Sequence, residues 1–300
     1  MRLRDVGALI KITFTSWLDD YAPSMGAALA YYTMFSIAPL LLIVISLAGL
    51  VFGAEAVRGE IVAQLSGMMG ENGARAIESL LQSVSKPADN IPATLLGLVL
   101  LLIGATTVFG ELQDALNRIW RVPQRRVRSG LLHLLRTRLL SFGMILGIGF
   151  LLMISLVLSA ALAALRRWWG PLFSEWEALA SIVDLVLSFG MSTTVFALIY
   201  KLIPRVQIGW RDVLVGALVT AFLFTLGKHL IGLYIGTSGV TSAFGAAGSL
   251  VVVLVWVYYS AQIFLLGAEF TWAYAHAWGS LRDTHPLAAP TQSPDPVNRL

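Results

Sequence analysis

Cysteine is absent from this 300-residue chain, so neither disulfides nor thiolate-held metals contribute to its stability or chemistry. Charge is nearly as scarce: only 13% of residues are Asp, Glu, Lys or Arg, too few to clothe a soluble domain of this length. Histidine occurs four times, at His133, His229, His276 and His285, with no His-x-His spacing. A two-metal nuclease needs clustered His and Asp ligands to activate water and steady the leaving oxygen, whereas these scattered histidines read as surface or packing residues. Neither a Gly-x-x-x-x-Gly-Lys phosphate loop nor a Gly-x-Ser-x-Gly elbow occurs. The expectation is a protein that is not an enzyme and uses no metal, cofactor or nucleic-acid partner.

Apolar runs are what the chain has in abundance. An α-helix rises about 1.5 Å per residue, so a hydrocarbon core of about 30 Å needs about 20 mostly apolar residues. Six stretches qualify, near residues 24–53, 93–114, 139–165, 180–203, 212–235 and 246–272, and the mean hydropathy of +0.77 agrees. Unbroken runs such as Leu95 to Phe109 and Leu250 to Tyr259 lack the alternation of lipid-facing barrel strands. The predicted fold class is therefore all-α, a polytopic membrane protein with six transmembrane helices. Residues 1–23 form a cytoplasmic N-terminal segment, 24–275 the transmembrane domain, and 276–300 a cytoplasmic tail. Pro286, Pro290, Pro294 and Pro296 make that tail read as disordered. Arg2, Arg4 and Lys11 are not followed by a short apolar core with a small-residue cleavage site, so the first span is expected to be retained as the insertion signal.

Basic residues near span ends tend to stay cytoplasmic. Alternate loops divide them fifteen to five, the larger group including seven arginines between Arg118 and Arg138. Both termini are thus expected to face the cytoplasm of a bacterial inner membrane. Trp17, Trp120, Trp210, Trp272 and Trp278 would mark the inner boundary, and Trp168, Trp169 and Trp176 the outer one. Between the first two spans, residues 54–92 carry two helical stripes, Val57, Ile61, Leu65 and Met68, then Ile77, Leu80, Leu81 and Val84. Gly67, Gly70 and Gly73 lie between the stripes. The pattern predicts an external helical hairpin, either a packing cap on the bundle or a mobile lid. The basic loop at 115–138 reads as a topology determinant that touches anionic lipid, or as a vestibule that concentrates an anionic solute.

An ionisable group at membrane depth is expensive unless it snorkels, pairs or lines water. Lys228 and Asp184 fall at matching depth in different spans, which predicts that Lys228 pairs with Asp184 or a nearby polar group such as Tyr234; the alternative is a lysine snorkelling outward. Asp19, Asp20, Glu111, Asp114, Lys201, Arg205 and Glu269 fall at inner span ends, where they complement helix dipoles or form a gate of exchangeable ion pairs. Pro39 interrupts an overlong first span and predicts a kink or tilt. The uncharged stretch Gly236 to Gly245 is a plain external loop or a broken-helix element. The pairs Gly49 and Gly53, Gly143 and Gly147, and Gly232 and Gly236 predict close helix packing.

The run from Gly26 through Tyr31, Tyr32, Ser36 and Pro39 to Leu40, preceded by Asp19 and Asp20, resembles the opening motif of the YihY/BrkB family of bacterial inner-membrane proteins. Later landmarks agree in order: Gly110-Glu111-Leu112, Leu116-Asn117-Arg118-Ile119-Trp120, Pro204-Arg205-Val206, Gly216-Ala217, Gly227-Lys228, Phe244-Gly245-Ala246, Trp256 and Gly267-Ala268-Glu269. The resemblance spans residues 15–275 and implies the fold more firmly than the activity. Members carry virulence-associated, transporter and, by misassignment, ribonuclease BN labels. The expected function is movement or export of a small solute, with Asp20, Tyr31, Tyr32, Ser36, Pro39, Glu111, Asn117, Asp184, Lys228, Tyr234 and Glu269 as candidate path or gate residues. The alternative is a membrane scaffold that acts through protein and lipid partners. A homo-oligomer fits either reading.

Overall fold

The computed structural model describes residues 3–85, 107–122, 176–237 and 247–282, and these are helical with no strand among them. Most of the second expected span, all of the third, the basic loop beyond Val122, the 238–245 stretch and the tail beyond Arg282 lie outside the described residues.

Helix α1 (Leu3–Asp19) occupies the segment expected only as a cytoplasmic extension. Its sequence is amphipathic: Leu9, Thr13 and Ser16 are buried, whereas Val6, Ile10, Phe14 and Leu18, four residues apart, are exposed. Tyr21, at φ 57°, makes the turn into α2 (Ala22–Phe52), and Pro23 sits in the first turn of α2, where its missing N–H costs no helical bond. Helix α2 runs without interruption through Pro39, whose side chain lies outside the described residues.

Gly53, at φ 85°, ends α2 and donates its N–H to Gly49 O at 2.9 Å. Helix α3 (Ala54–Ser85) begins at once, so tightly that a Cβ on Gly49 would sit 3.0 Å from Ala54 Cα. It breaks at Gly70, whose φ of 78° and ψ of 169° only glycine adopts cheaply. Val57 before the break and Ile77 and Leu81 after it are buried in one cluster with Ala30 and Ile45 of α2. The two sequence stripes therefore face the same core.

The helical segment 107–119 is followed by α4 (Trp176–Leu202), α5 (Trp210–Thr237) and α6 (Gly248–Ala277). Among the described residues three stretches are long and apolar enough to cross a membrane: Leu185–Leu202, Trp210–Tyr234 and Leu250–Ala277. They coincide with the last three expected spans. On α5, Leu214, Leu218, Phe222, Leu226 and Leu230 form an exposed stripe, while Val213, Ala217, Thr220 and Ala221 are buried. A continuous apolar stripe of that length would be costly in water and is natural against lipid.

Helix α6 packs against α1, α2, α3 and α5. Its approach to α5 depends on glycine. A Cβ on Gly216 would lie 1.8 Å from Thr271 Oγ1, and one on Gly267 would lie 2.0 Å from Thr220 Oγ1. Both hydroxyls stay satisfied within their own helices, Thr220 donating to Gly216 O and Thr271 to Gly267 O, each at 2.7 Å. Tyr200 of α4, fully buried, donates to Phe264 O at 2.7 Å and ties a third helix to this contact. Of the glycines expected to pack closely, Gly49 does so against the start of α3, Gly232 has no described atom within 4 Å of an added Cβ, and Gly143 and Gly147 lie outside the described residues.

Candidate functional site

The end of the bundle where α1 meets α6 concentrates the buried polar chemistry. Residues 116–120 enter this core through Leu116, Ile119 and Trp120. Two side chains one turn apart staple that segment to the turn after α4. Gln113 Nε2 donates to Ile203 O at 3.3 Å, and Asn117 Oδ1 accepts from the Arg205 N–H at 3.1 Å. Arg121, at φ 50°, closes the helical segment by donating its N–H to Arg118 O.

Asp212, in the first turn of α5, is buried and accepts from both the N–H and the hydroxyl of Ser280, at 2.8 and 2.6 Å. The bond joins the start of α5 to the chain just after α6. Lys201 donates to Ile208 O, and its ammonium lies 5.4 Å from the Trp210 ring, so this basic residue is used within the α4–α5 turn.

Glu269 stands apart from these satisfied groups. It is fully buried on α6, and among the described residues no N–H or hydroxyl donor reaches either carboxyl oxygen. Asp20, half-buried in the turn between α1 and α2, is its acidic neighbour, placed so that the two carboxyls share a hydrogen bond when one of them carries a proton; Asp20 Oδ2 is also buried, with no other donor among the described residues. Burial pushes the Asp20 carboxyl above the ordinary carboxylate range, an effect that the Arg121 and Arg118 guanidinium groups oppose. Both guanidiniums lie against rings: Arg121 lies 4.0 Å over Trp272 and Arg118 lies 5.5 Å from the Tyr21 centroid.

Three further polar atoms in the same region are buried with no partner among the described residues: Trp17 Nε1, Trp120 Nε1 and Gln262 Oε1. Gln262 precedes Glu269 by seven residues, two helical turns, so both lie on one face of α6. Its amide donates to Pro23 O at 3.4 Å. Native proteins leave few buried polar atoms unsatisfied, so these six atoms at one end of the bundle single it out as the candidate site.

The other sequence candidates are spread over the bundle. Tyr31 is exposed on α2 and packs edge-on against Tyr32 and Phe35, while Tyr32 is half-buried and Ser36 is buried, donating to Tyr32 O. Glu111 and Asn117 are half-buried on the segment that enters the site. Lys228 is half-buried on α5, and Tyr234 is exposed near the end of that helix. Asp184 belongs to α4 with its side chain outside the described residues, so the expected Lys228–Asp184 pair lies there too. Sequence reasoning missed Gln262, Trp17 and Trp120 as members of the site. The seven-residue spacing of Gln262 from Glu269 was the available signal.

Known proteins carry the same sequence pattern. A UPF0761 membrane protein of Pseudomonas paraeruginosa is 30% identical over 256 residues, covering 84% of this chain and 59% of the relative. Another, from Alkalilimnicola ehrlichii, is 31% identical over 276 residues, covering 87% and 58%. The chain thus spans about three-fifths of the length of the curated relatives it matches. No solved structure matches it. The sequence profile described as Virulence factor BrkB matches residues 13–292, and with apolar helices and relatives that are membrane proteins, the chain belongs to the BrkB family of integral membrane proteins.

Proposed function

We propose that the protein moves a small solute across the bacterial inner membrane, with the Asp20–Glu269 end of the bundle as its cytoplasmic gate. The observation that carries this reading is the Glu269 side chain, fully buried on a helix long and apolar enough to cross a membrane, with no donor to either oxygen among the described residues. A structural scaffold gains nothing from such a group, because an apolar residue of similar volume would pack there without the desolvation penalty. Membrane groups of this kind mark ion and solute pathways. The reading assigns the protein no catalytic chemistry and no nucleic acid, with lipids as its surroundings. It also keeps both termini in the cytoplasm and 54–92 outside, on the fifteen-to-five division of basic residues. Reporter fusions after Arg128 and after Gly70 should therefore report opposite compartments; the same compartment for both would refute the orientation.

The function itself is tested by metabolite profiling of cells that lack the protein, overproduce it, or overproduce Glu269→Gln at equal membrane abundance. At least one solute should shift in opposite directions in the first two strains and return to the null level in the third. Indistinguishable profiles in all three would overturn transport and leave the scaffold reading.

A further inference from the structure

Among the described residues, the charged groups around Glu269 do not balance. Asp20 and Glu269, with exposed Asp19 beside them, bring three carboxyls to the site, against the two guanidiniums of Arg118 and Arg121. With every group ionised these described residues carry one net negative charge, part of it on a carboxylate with no contact to solvent and no donor among them. An isolated buried carboxylate is far too costly to persist, and gaining a single proton removes the imbalance.

Other neighbours do not supply that proton or a substitute for it. On α4, Tyr200 donates to Phe264 O; on α6, His276 Nδ1 is 2.9 Å from Trp272 O. The residues packed around Glu269 on α6, Leu265, Ala268 and Trp272, are buried and leave it no aqueous contact of its own. Asp20 is different: it sits in the turn at the bundle's end and is only half-buried. The same end of the bundle holds two further buried polar atoms with no partner among the described residues, the donor Trp120 Nε1 and the acceptor Gln262 Oε1, which are groups that an ordered water would satisfy.

We propose that Asp20 and Glu269 form a proton-loading site in which the pair holds one exchangeable proton, taken up at Asp20 and passed to Glu269. In the transfer the Asp20 carboxylic acid becomes a carboxylate and the Glu269 carboxylate becomes a carboxylic acid, so charge is conserved within the pair. The inference rests on the transport reading for its purpose, since a site of this kind couples solute movement to a proton gradient. It does not need that reading for its detection.

The test is infrared difference spectroscopy of the full chain reconstituted in lipid, followed through hydrogen–deuterium exchange. A protonated-carboxyl band should be present near neutral pH and vanish in Glu269→Gln, an isosteric change that keeps the packing. Asp20→Asn should keep the band but slow its exchange by about tenfold or more, the signature of a lost loading group. Glu71→Gln, on the exposed face of α3, should leave both band and exchange rate unchanged. Absence of the band in the unaltered protein, its survival in Glu269→Gln, or unchanged exchange in Asp20→Asn would overturn the proposal. So would removal of the band by sodium at constant pH, which would make this a metal-cation site. A normal band in a protein that displaces no solute overturns the transport reading alone; solute movement without the band overturns only the proton site.

Discussion

Gly267→Leu is expected to abolish accumulation of folded protein, and Gly267→Ala to lower its stability by about 3 kcal/mol. Even the first added carbon would lie 2.0 Å from Thr220 Oγ1 and 2.7 Å from the Tyr200 hydroxyl. None of these atoms can retreat easily. Thr220 is a fully buried, β-branched residue held to Gly216 O, and Tyr200 is anchored to Phe264 O. The helices must therefore separate, and separation loosens the α4–α5–α6 contact as a whole. Gly232→Ala supplies the contrast: with no described atom within 4 Å, it should be neutral or stabilise by up to about 1 kcal/mol through helix propensity. Thermal melts of detergent-purified variants decide the matter. If Gly267→Ala melts with the unaltered protein, the close approach of α5 and α6 is wrong.

Asp212→Ala should destabilise the protein by about 2 kcal/mol, whereas Asp212→Asn should retain much of that stability because its side-chain carbonyl still accepts. Asp212 receives two hydrogen bonds from Ser280, and its charge lies in the first turn of α5, where the helix dipole favours it. Deleting the side chain also leaves space beside Gly279, where a Cβ would lie 2.5 Å from Asp212 Oδ1. Unfolding midpoints in a denaturing detergent titration measure the difference. Equal midpoints for Asp212→Ala and the unaltered protein would show that this link contributes nothing.

What the sequence reveals here depends on how local the responsible physics is. The last three spans are legible because each is a property of one continuous stretch, and α4, α5 and α6 appear where the apolar runs lie. The glycine break in α3 is legible for the same reason, since Gly70 stands between two apolar stripes. Helix α1 is not, because its exposed and buried stripes are too sparse to resemble a span, and its partners are supplied by α6 at the far end of the chain. The site lies between these cases. Asp20 and Glu269 can each be picked out as acids at span ends, but their juxtaposition is a tertiary fact. Of the glycine approaches, Gly216 and Gly267 do not share the four-residue spacing used to find such contacts; each faces a threonine on the opposite helix.

The position of α6 also governs when this architecture can be completed during synthesis. It is the last described helix to leave the ribosome, yet it is the common neighbour of α1, α2, α3 and α5. The Pro23–Gln262 hydrogen bond alone closes a loop of 239 residues. Helices α2 and α3 can find each other as soon as both exist, because the turn at Gly53 leaves almost no chain to order between them. The face of α1 that carries Leu9 and Thr13 must wait until α6 has been made. Until α6 is present, α2 and α3 can pair but every contact that α1, α2, α3 and α5 make with α6 is missing, so the full packing of the described helices waits on this one thirty-residue element.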